Sequence, residues 1–337
     1  MFFSKGKSIL GVDIGTSTIK IAQISHEKEP ILETYGIVNI AYQLGGKDDE
    51  TAVGQMADVL KTLLAKAGVT TQECIISFPN SAVFTSVIEL PSMSEKDLAS
   101  AVEFEAKKYV PLALTEIDLS WTIISHEGTG GAYKILLTAV PKQITKNYMR
   151  VFELAGLQPL AGEIEALALI RSLIGNVPTN SVIIDIGAKS TGLNILENGF
   201  LRLSRNLNIG GDTITAKIAE SLDISLLRAE QFKKEFGVSG STFIPETVKP
   251  ILNSIKNDVK QLLSLYQTHN IKVDKILLVG GGANMPGIIE YFSDLSIPIE
   301  LGNPFQTVGY SESMAPILKR YALSLPIAIG LALRNDK

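Results

Sequence analysis

Residues 9–24, ILGVDIGTSTIKIAQI, restrict the folds open to this chain more than any other stretch. Apolar residues enter it (Ile9, Leu10, Val12, Ile14) and leave it (Ile19, Ile21, Ile24), with the tight polar turn Gly15-Thr16-Ser17-Thr18 between them. The spacing predicts a β-hairpin with hydroxyls and backbone N–H groups at its tip. Gly15 has no Cβ, so a bulky anion can approach the backbone there. Successive N–H groups in such a turn form an anion-binding nest. Asp13 stands just before the turn, where a carboxylate can hold Mg²⁺ through water. Lys20 can return to the same phosphate as a point charge.

A single hairpin of this kind is more often only a turn. A second copy changes the reading. Residues 182–196, VIIDIGAKSTGLNIL, again lead through apolar residues to Asp185-Ile186-Gly187. A small, hydroxylic turn follows (Ala188, Lys189, Ser190, Thr191) before apolar residues resume. Two related hairpins far apart in one chain predict two related lobes whose turns grip one polyphosphate from both sides. Residues 275–292, KILLVGGGANMPGIIEYF, add a buried strand that runs into Gly280-Gly281-Gly282 and then a helix opening near Met285-Pro286. A glycine turn at a helix N-terminus suits close backbone approach to a nucleotide. The stretch lacks the lysine of a Walker loop and is not GxGxxG, so neither a P-loop nor a Rossmann reading fits.

These three segments resemble the phosphate-1, phosphate-2 and adenosine motifs of the actin-like ATPase superfamily, in the expected order and across nearly the whole chain. Size agrees: 337 residues, 45% of them hydrophobic and 20% charged, suit two lobes better than one core. The net charge of −4 comes with no basic stripe, which argues against nucleic acid. A single cysteine, Cys74, excludes an internal disulfide framework and fits a reducing compartment. With three histidines beside it, a structural zinc site is not expected. The opening MFFSKGK has no apolar region of signal-peptide length. Phe2 and Phe3 beside Lys5 and Lys7 read as a frayed terminus, with contact to a membrane or groove as the alternative. No segment reaches the roughly 20 apolar residues that span a bilayer. Residues 321–333, interrupted by Pro326, read as a buried terminal helix.

Between the motifs the pattern predicts a strand at 30–40, a loop at 45–50, an amphipathic helix at 51–67 ended by Gly68, and a strand at 74–78. Residues 82–156 then read β-α-β-β-α, a small domain inserted in the first lobe. Its helix begins at Ser94 with Asp97 three residues on, as in a capping box. The expected apolar face is Leu98, Ala101, Val102 and Tyr109, and Glu103 and Lys107 are spaced to pair. The strands at 117–126 and 133–140 are joined by the glycine-rich turn Gly128–Gly131, and a helix from 141 to 155 closes with Gly156. In domain terms, the first lobe takes 1–81, completed by 157–177 and 321–337, the insert 82–156 and the second lobe 178–320. A small α/β insert at this place resembles the FtsA/PilM branch of the superfamily. The string ELPSMSEKDLASAVEFEAKKYVPLAL, residues 89–114, is similar to the PilM pattern of an acidic-aromatic helix ending in KYVP.

The resemblance implies a two-lobed α/β actin-like fold with ribonuclease H-like lobes, binding ATP and Mg²⁺ in the cleft. Asp13 and Asp185 would hold metal-bound water. Gly15, Thr16, Ser17, Lys20, Gly187, Ser190 and Thr191 would hold phosphates. Gly210 and Gly211 match the second connecting motif beside them, and Asp212 reads as a helix cap. Glu230 and Lys233, in an AExxK string, together with Gly281, Gly282 and Met285, would hold the nucleoside. Glu163 or Glu165 would position water, with Glu165 preferred; a solvated or capping carboxylate is the alternative. The helix at 245–269 carries Val248, Ile251, Leu252, Ile255, Val259 and Leu263 as a core stripe. Where relatives place a serine after a basic pair, this chain has Lys260, Gln261 and Leu262, which puts one adenine contact in doubt.

For function, the resemblance implies a cytoplasmic scaffold of type IV pilus assembly at the inner face of the membrane. It would bind the N-terminal tail of a PilN-like membrane protein between insert and first lobe, and associate with the inner-membrane platform and motor ATPases. Nucleotide-dependent lobe closure would alter the surface shown to partners. At most weak hydrolysis is expected, since no side chain identifies itself as a strong base. Other readings are an FtsA-like division protein, a small-molecule kinase of the same fold and the cytoplasmic part of a type II secretion protein. They expect a linker with an amphipathic tail, a substrate base with larger insertions, and a transmembrane helix, respectively; none of these is visible. Asp13→Ala is expected to abolish Mg-ATP binding and leave the fold intact; unchanged affinity by calorimetry refutes the assignment of Asp13.

Overall fold

The computed structural model describes residues 7–41, 44, 50–126, 131–239, 248–267 and 271–334. The Phe2-Phe3 terminus, the loop expected at 45–49, residues 128–130 of the glycine-rich turn, positions 245–247 and 268–269 of the helix expected at 245–269, and the last three residues lie outside the described residues. The opening hairpin forms as predicted, with β1 (Ser8–Ile14) antiparallel to β2 (Thr18–Ser25). Strand β3 (Ile31–Asn39) joins β2, helix α1 (Glu50–Ala67) crosses back, and β4 (Glu73–Phe78) pairs parallel to β1. Val53, Met56, Ala57, Leu60 and Leu63 are the buried stripe of α1, as their helical spacing requires.

The insert comprises β5 (Phe84–Leu90), α2 (Glu95–Tyr109), β6 (Ile117–His126) and β7 (Tyr133–Pro141), with β7 central in a three-stranded sheet. The Ser94 hydroxyl accepts the Asp97 N–H at 3.3 Å and caps α2. Leu98, Val102 and Ala106 pack on Ile88, Ile135 and Leu137 of the sheet. Tyr109, expected on that face, is instead 49% exposed. Lys108 pairs with Glu105 at 2.8 Å, in place of the expected Glu103–Lys107 pair. Helix α3 (Lys142–Ala155) leaves the insert sheet and buries Tyr148, Val151 and Phe152 against Leu10, Val12, Met56 and Leu60 of the first lobe. It ends at Gly156, whose φ of 77° is the left-handed conformation of a helix C-terminus. Strand β8 (Gln158–Ile164) pairs parallel to β4, and α4 (Glu165–Leu173) follows directly.

The second lobe begins with the predicted hairpin, β9 (Ser181–Ile186) and β10 (Thr191–Glu197), extended by β11 (Phe200–Leu207). Helices α5 (Gly211–Leu222), α6 (Leu226–Phe236) and α7 (Lys249–Gln267) precede β12 (Lys275–Val279). The glycines at 280–282 feed a 3-10 turn, and helix α8 (Ile288–Phe292) starts later than expected. Pro286 has no N–H to continue the turn, and Gly287 at φ 78° reverses the chain before α8. Strand β13 (Ile299–Leu301) completes a sheet ordered β11-β10-β9-β12-β13. The first lobe is ordered β3-β2-β1-β4-β8, with the same succession of two antiparallel and two parallel pairings. The duplication read from two short strings therefore extends to whole sheets. Leu262 is 3% exposed and belongs to the second-lobe core, which explains a leucine at that position.

The chain then returns to the first lobe. Strand β14 (Gly309–Tyr310) pairs with β3, and α9 (Ala315–Tyr321) leads to α10 (Pro326–Ala332). Every residue of α10 is buried. It lies against β1 and α4 at backbone contact: a Cβ on Gly11 would overlap the Ala328 carbonyl, and one on Gly330 the Ala168 carbonyl. Ile327 and Leu331 share a core with Ile9, Ile75 and Ile164 of the first lobe and Ile183, Leu277 and Val279 of the second. This seam joins the lobes beneath the cleft. Overpacking it is expected to be severe: Gly330→Val should lose about 3 kcal/mol or more in denaturant unfolding. Gly54→Ala, in α1 with nothing within 4 Å of the added methyl, should gain about 0.5–1 kcal/mol.

Candidate functional site

The two hairpin turns share one geometry. Gly15 N–H donates to the Thr18 carbonyl at 2.9 Å, and Gly187 N–H to the Ser190 carbonyl at 2.9 Å. The start of α5 docks on the second turn: Gly211 N–H donates to the Gly187 carbonyl at 2.9 Å and Asp212 N–H to Ala188 at 2.7 Å. Gly210 is required at this approach, because its Cβ would stand where the Ala188 backbone lies. Gly210 is also the N-cap; Asp212, read as the cap, sits in the first helical turn. The Thr191 hydroxyl, expected on phosphate, is fully buried and donates to the Ile209 carbonyl at 2.7 Å. It fastens the turn from behind rather than facing the cleft.

Three carboxylates, Asp13, Asp185 and Glu165, converge where β1 and β9 end and α4 begins. Asp13 is 1% exposed; one oxygen accepts Lys20 Nζ at 2.8 Å and the other Ser77 Oγ at 2.9 Å. Lys20 is the cross-strand partner of Asp13, so hairpin register brings the pair together. Burial works against the Lys20 charge, but Asp13 outweighs it and leaves the ammonium above its ordinary range. Glu165, the first residue of α4, accepts the Asn80 N–H at 3.4 Å. Burial pushes its carboxyl up to about 8, helped by the charges of Asp13 and Asp185, against the pull of Asn80 N–H and Lys20. Burial also raises Asp185 to about 6; Lys20 lowers it and Asp13 raises it further. Glu163 has a different role: Arg171 binds both its oxygens at 2.7 and 3.0 Å, and Arg334 reaches it at 3.4 Å. That ties α10 to α4 and leaves Glu165 as the carboxylate at the cleft.

Glu230 and Lys233 do meet, at 2.6 Å. Lys233 also donates to the Gly211 carbonyl at 2.9 Å and to Thr215 Oγ1 at 2.7 Å. Burial opposes the Glu230 charge, but the bonds from Lys233 and Thr215 prevail and hold the carboxyl below its ordinary range. The network buttresses the α5 N-terminus beside Gly187. Gly280, at φ 86°, passes directly under the Asp185 carboxylate, and Gly281 faces open space. Gly282 packs on Ile186, and Met285 is 5% exposed in the second-lobe core, so its side chain does not present itself to a ligand. Sequence reading missed Ser77, Asn80 and Thr215. Only Thr215 left a trace, four residues after Gly211 on the helix that the glycines start. A separate cavity of about 720 Å³ between α1 and α3, lined by Val53, Met149, Leu157 and Pro159 with Lys146 and Arg150, contains none of the carboxylates.

The donor set suits hydrated Mg²⁺ with a polyphosphate. One lysine faces three carboxylates, two of them with carboxyls raised by burial and by neighbouring negative charge, so the site lacks positive charge. Among the described residues no group of three or more metal-ligating side chains is disposed to hold an ion directly. An ion that keeps its waters and takes its remaining ligands from phosphate fits that arrangement.

A family model described as "Type IV pilus assembly protein PilM" matches residues 11–336. The cell division protein FtsA of Streptococcus pneumoniae serotype 2 (strain D39 / NCTC 7466) is 24% identical over 336 residues, covering 83% of this chain and 72% of that protein. Among solved structures, the PilM-PilN type IV pilus biogenesis complex superposes with a TM-score of 0.87 at 24% identity, covering 97% of this chain and 98% of that one. MreB 5 of Spiroplasma citri bound to AMPPNP gives a TM-score of 0.55 at 17% identity, over 96% and 94% of the two chains. The fold is thus the two-lobed actin-like ATPase fold expected from the hairpins. No helix among the described residues is long and apolar enough to cross a membrane.

The raised carboxyls make stability depend on pH. Each binds its proton more tightly folded than unfolded, so its contribution is complete below the ordinary carboxyl range and lost as pH rises through the folded values, about 6 for Asp185 and about 8 for Glu165. Nucleotide-free protein should therefore show a falling thermal midpoint from about pH 5 to pH 8. Glu165→Gln should remove the upper part of that fall, and a flat wild-type profile overturns the assignment.

Proposed function

The chain belongs to the family of type IV pilus assembly protein PilM, and from that membership we propose that it is a nucleotide-switched scaffold of pilus assembly. The observation that carries the nucleotide half is the convergence of Asp13, Glu165 and Asp185 between two turns of identical geometry. In this reading Gly15, Thr16 and Ser17 of one turn and Gly187 and Ser190 of the other hold the phosphates of ATP through backbone N–H groups and hydroxyls. Asp185 and Glu165 carry the water shell of Mg²⁺, with Asp13 fixed behind them by Lys20 and Ser77. Bound Mg²⁺ supplies the positive charge that the cleft lacks, and phosphoryl chemistry in such a site rests on positioning and neutralisation. Glu165, at the head of α4, is the group placed to orient water. Glu230 and Lys233 support the nucleoside side by anchoring α5 beside Gly211.

The scaffold half rests on family membership and on likeness to a protein solved with PilN. The partner proposed here is the N-terminal tail of a PilN-like membrane protein, taken up between the insert and the first lobe, with the platform and motor ATPases as further neighbours. Lobe closure on nucleotide would change the groove through α4, whose first residue is Glu165 and whose body packs on α10. In this reading the chain works at the inner face of the cytoplasmic membrane through its partners. The division-protein reading keeps support from the FtsA likeness. A synthetic PilN-type N-terminal peptide should be retained by the immobilised protein, and a tubulin-like C-terminal peptide should not; the reverse result favours division. Asp185→Asn should weaken Mg-ATP at least tenfold in calorimetry. It is a cleaner variant than Asp13→Ala, which also strips Lys20 and Ser77 of their acceptor.

A further inference from the structure

The hairpins differ at one informative position. Across from Asp13 stands Lys20; across from Asp185, at the same place in the ladder, stands Gly192. Gly192 has ordinary strand backbone, and its open face lies against two side-chain amides, one from each lobe. A Cβ there would come within 3.4 Å of Asn80 Nδ2 and 3.8 Å of Asn194 Nδ2. Asn80 belongs to the first lobe, in the turn after β4, and Asn194 to β10 of the second. Asn194 is fully buried; its Oδ1 accepts Ser204 Oγ at 2.7 Å, yet its Nδ2 has no partner among the described residues. Buried side-chain donors are rarely left unmade, and an unmade one beside a movable neighbour points to a bond formed in another state.

We propose that Asn80 and Asn194 are the two halves of an interlobe latch that engages over Gly192 when the cleft closes. Rotating the Asn80 amide half a turn presents Oδ1 to Asn194 Nδ2, so the orphaned donor of one lobe gains an acceptor from the other. Asn80 is well held for this. Pro79 precedes it at φ −64°, the Ala82 N–H closes the turn on the Pro79 carbonyl at 2.8 Å, and its own N–H donates to Glu165. The latch thus sits beside the carboxylate cluster, and a branched side chain at 192, extending beyond a Cβ that already touches both amides, would crowd its halves. It rests on the reading that nucleotide draws the two turns together. By linkage, a ligand that favours closure is bound more tightly because the latch exists.

The test compares Asn80→Ala, Gly192→Val and the double variant with wild type, each first shown to unfold cooperatively. Mg-ATP affinity should fall roughly fivefold to tenfold in each single variant, and the double variant should be no weaker than the worse single, because both break one contact. Affinity of Asn80→Ala within twofold of wild type, or effects that multiply in the double variant, overturn the latch. If wild type does not bind Mg-ATP, the nucleotide reading fails by itself. Hydrogen exchange then decides the latch: faster exchange of residues 181–197 in Asn80→Ala than in wild type supports it, and equal rates overturn it.

Discussion

Uncompensated negative charge at the junction of the lobes is the constraint on which the rest of this structure depends. Buried carboxylates must be paired, protonated or matched by a cation. The first lobe solves the problem internally, with Lys20 and Ser77 on Asp13. The second lobe carries glycine where the first carries lysine, so Asp185 has no cation of its own, and Glu165 joins it from the head of α4. The fold therefore builds one hairpin whose aspartate is paired within its own lobe and one whose aspartate faces a glycine.

That asymmetry is useful only if the lobes share a foundation. The apolar seam under the cleft, where α10 meets β1, α4 and strands of the second lobe, is that foundation. Its backbone-to-backbone contacts at Gly11 and Gly330 leave little room for sliding. The seam reaches α4, whose first residue is Glu165 and whose Arg171 grips Glu163 and the Gly330 carbonyl. Floor and cleft are thus mechanically continuous over a single short helix.

Much of this was legible beforehand because hairpins announce themselves locally. Alternation, turn glycines and apolar flanks need only neighbouring residues, and both sheets grew from strings so recognised. What escaped depends on long-range geometry. Glu163 and Glu165 look equivalent on paper; the fork of Arg171 and the arrival of Arg334, 171 residues later in the chain, separate a structural carboxylate from one at the cleft. Thr191 has the right chemistry for phosphate, yet β10 turns its hydroxyl inward onto Ile209. Met285 followed three glycines and was read with them, but Pro286 and Gly287 fold it into the core. Asn80 bears no motif at all, and its importance comes from what a distant glycine leaves open.

The path of the chain has one more implication, for the order in which the molecule is made. The second lobe's sheet is contiguous from β9 to β13, whereas the first lobe waits for β14, α9 and α10, which follow the whole second lobe in the chain. Domains fold as units once their core is available. The half that is translated first is consequently the half that matures last, and until then β1 and α4 expose to chaperones the apolar surface that α10 will cover.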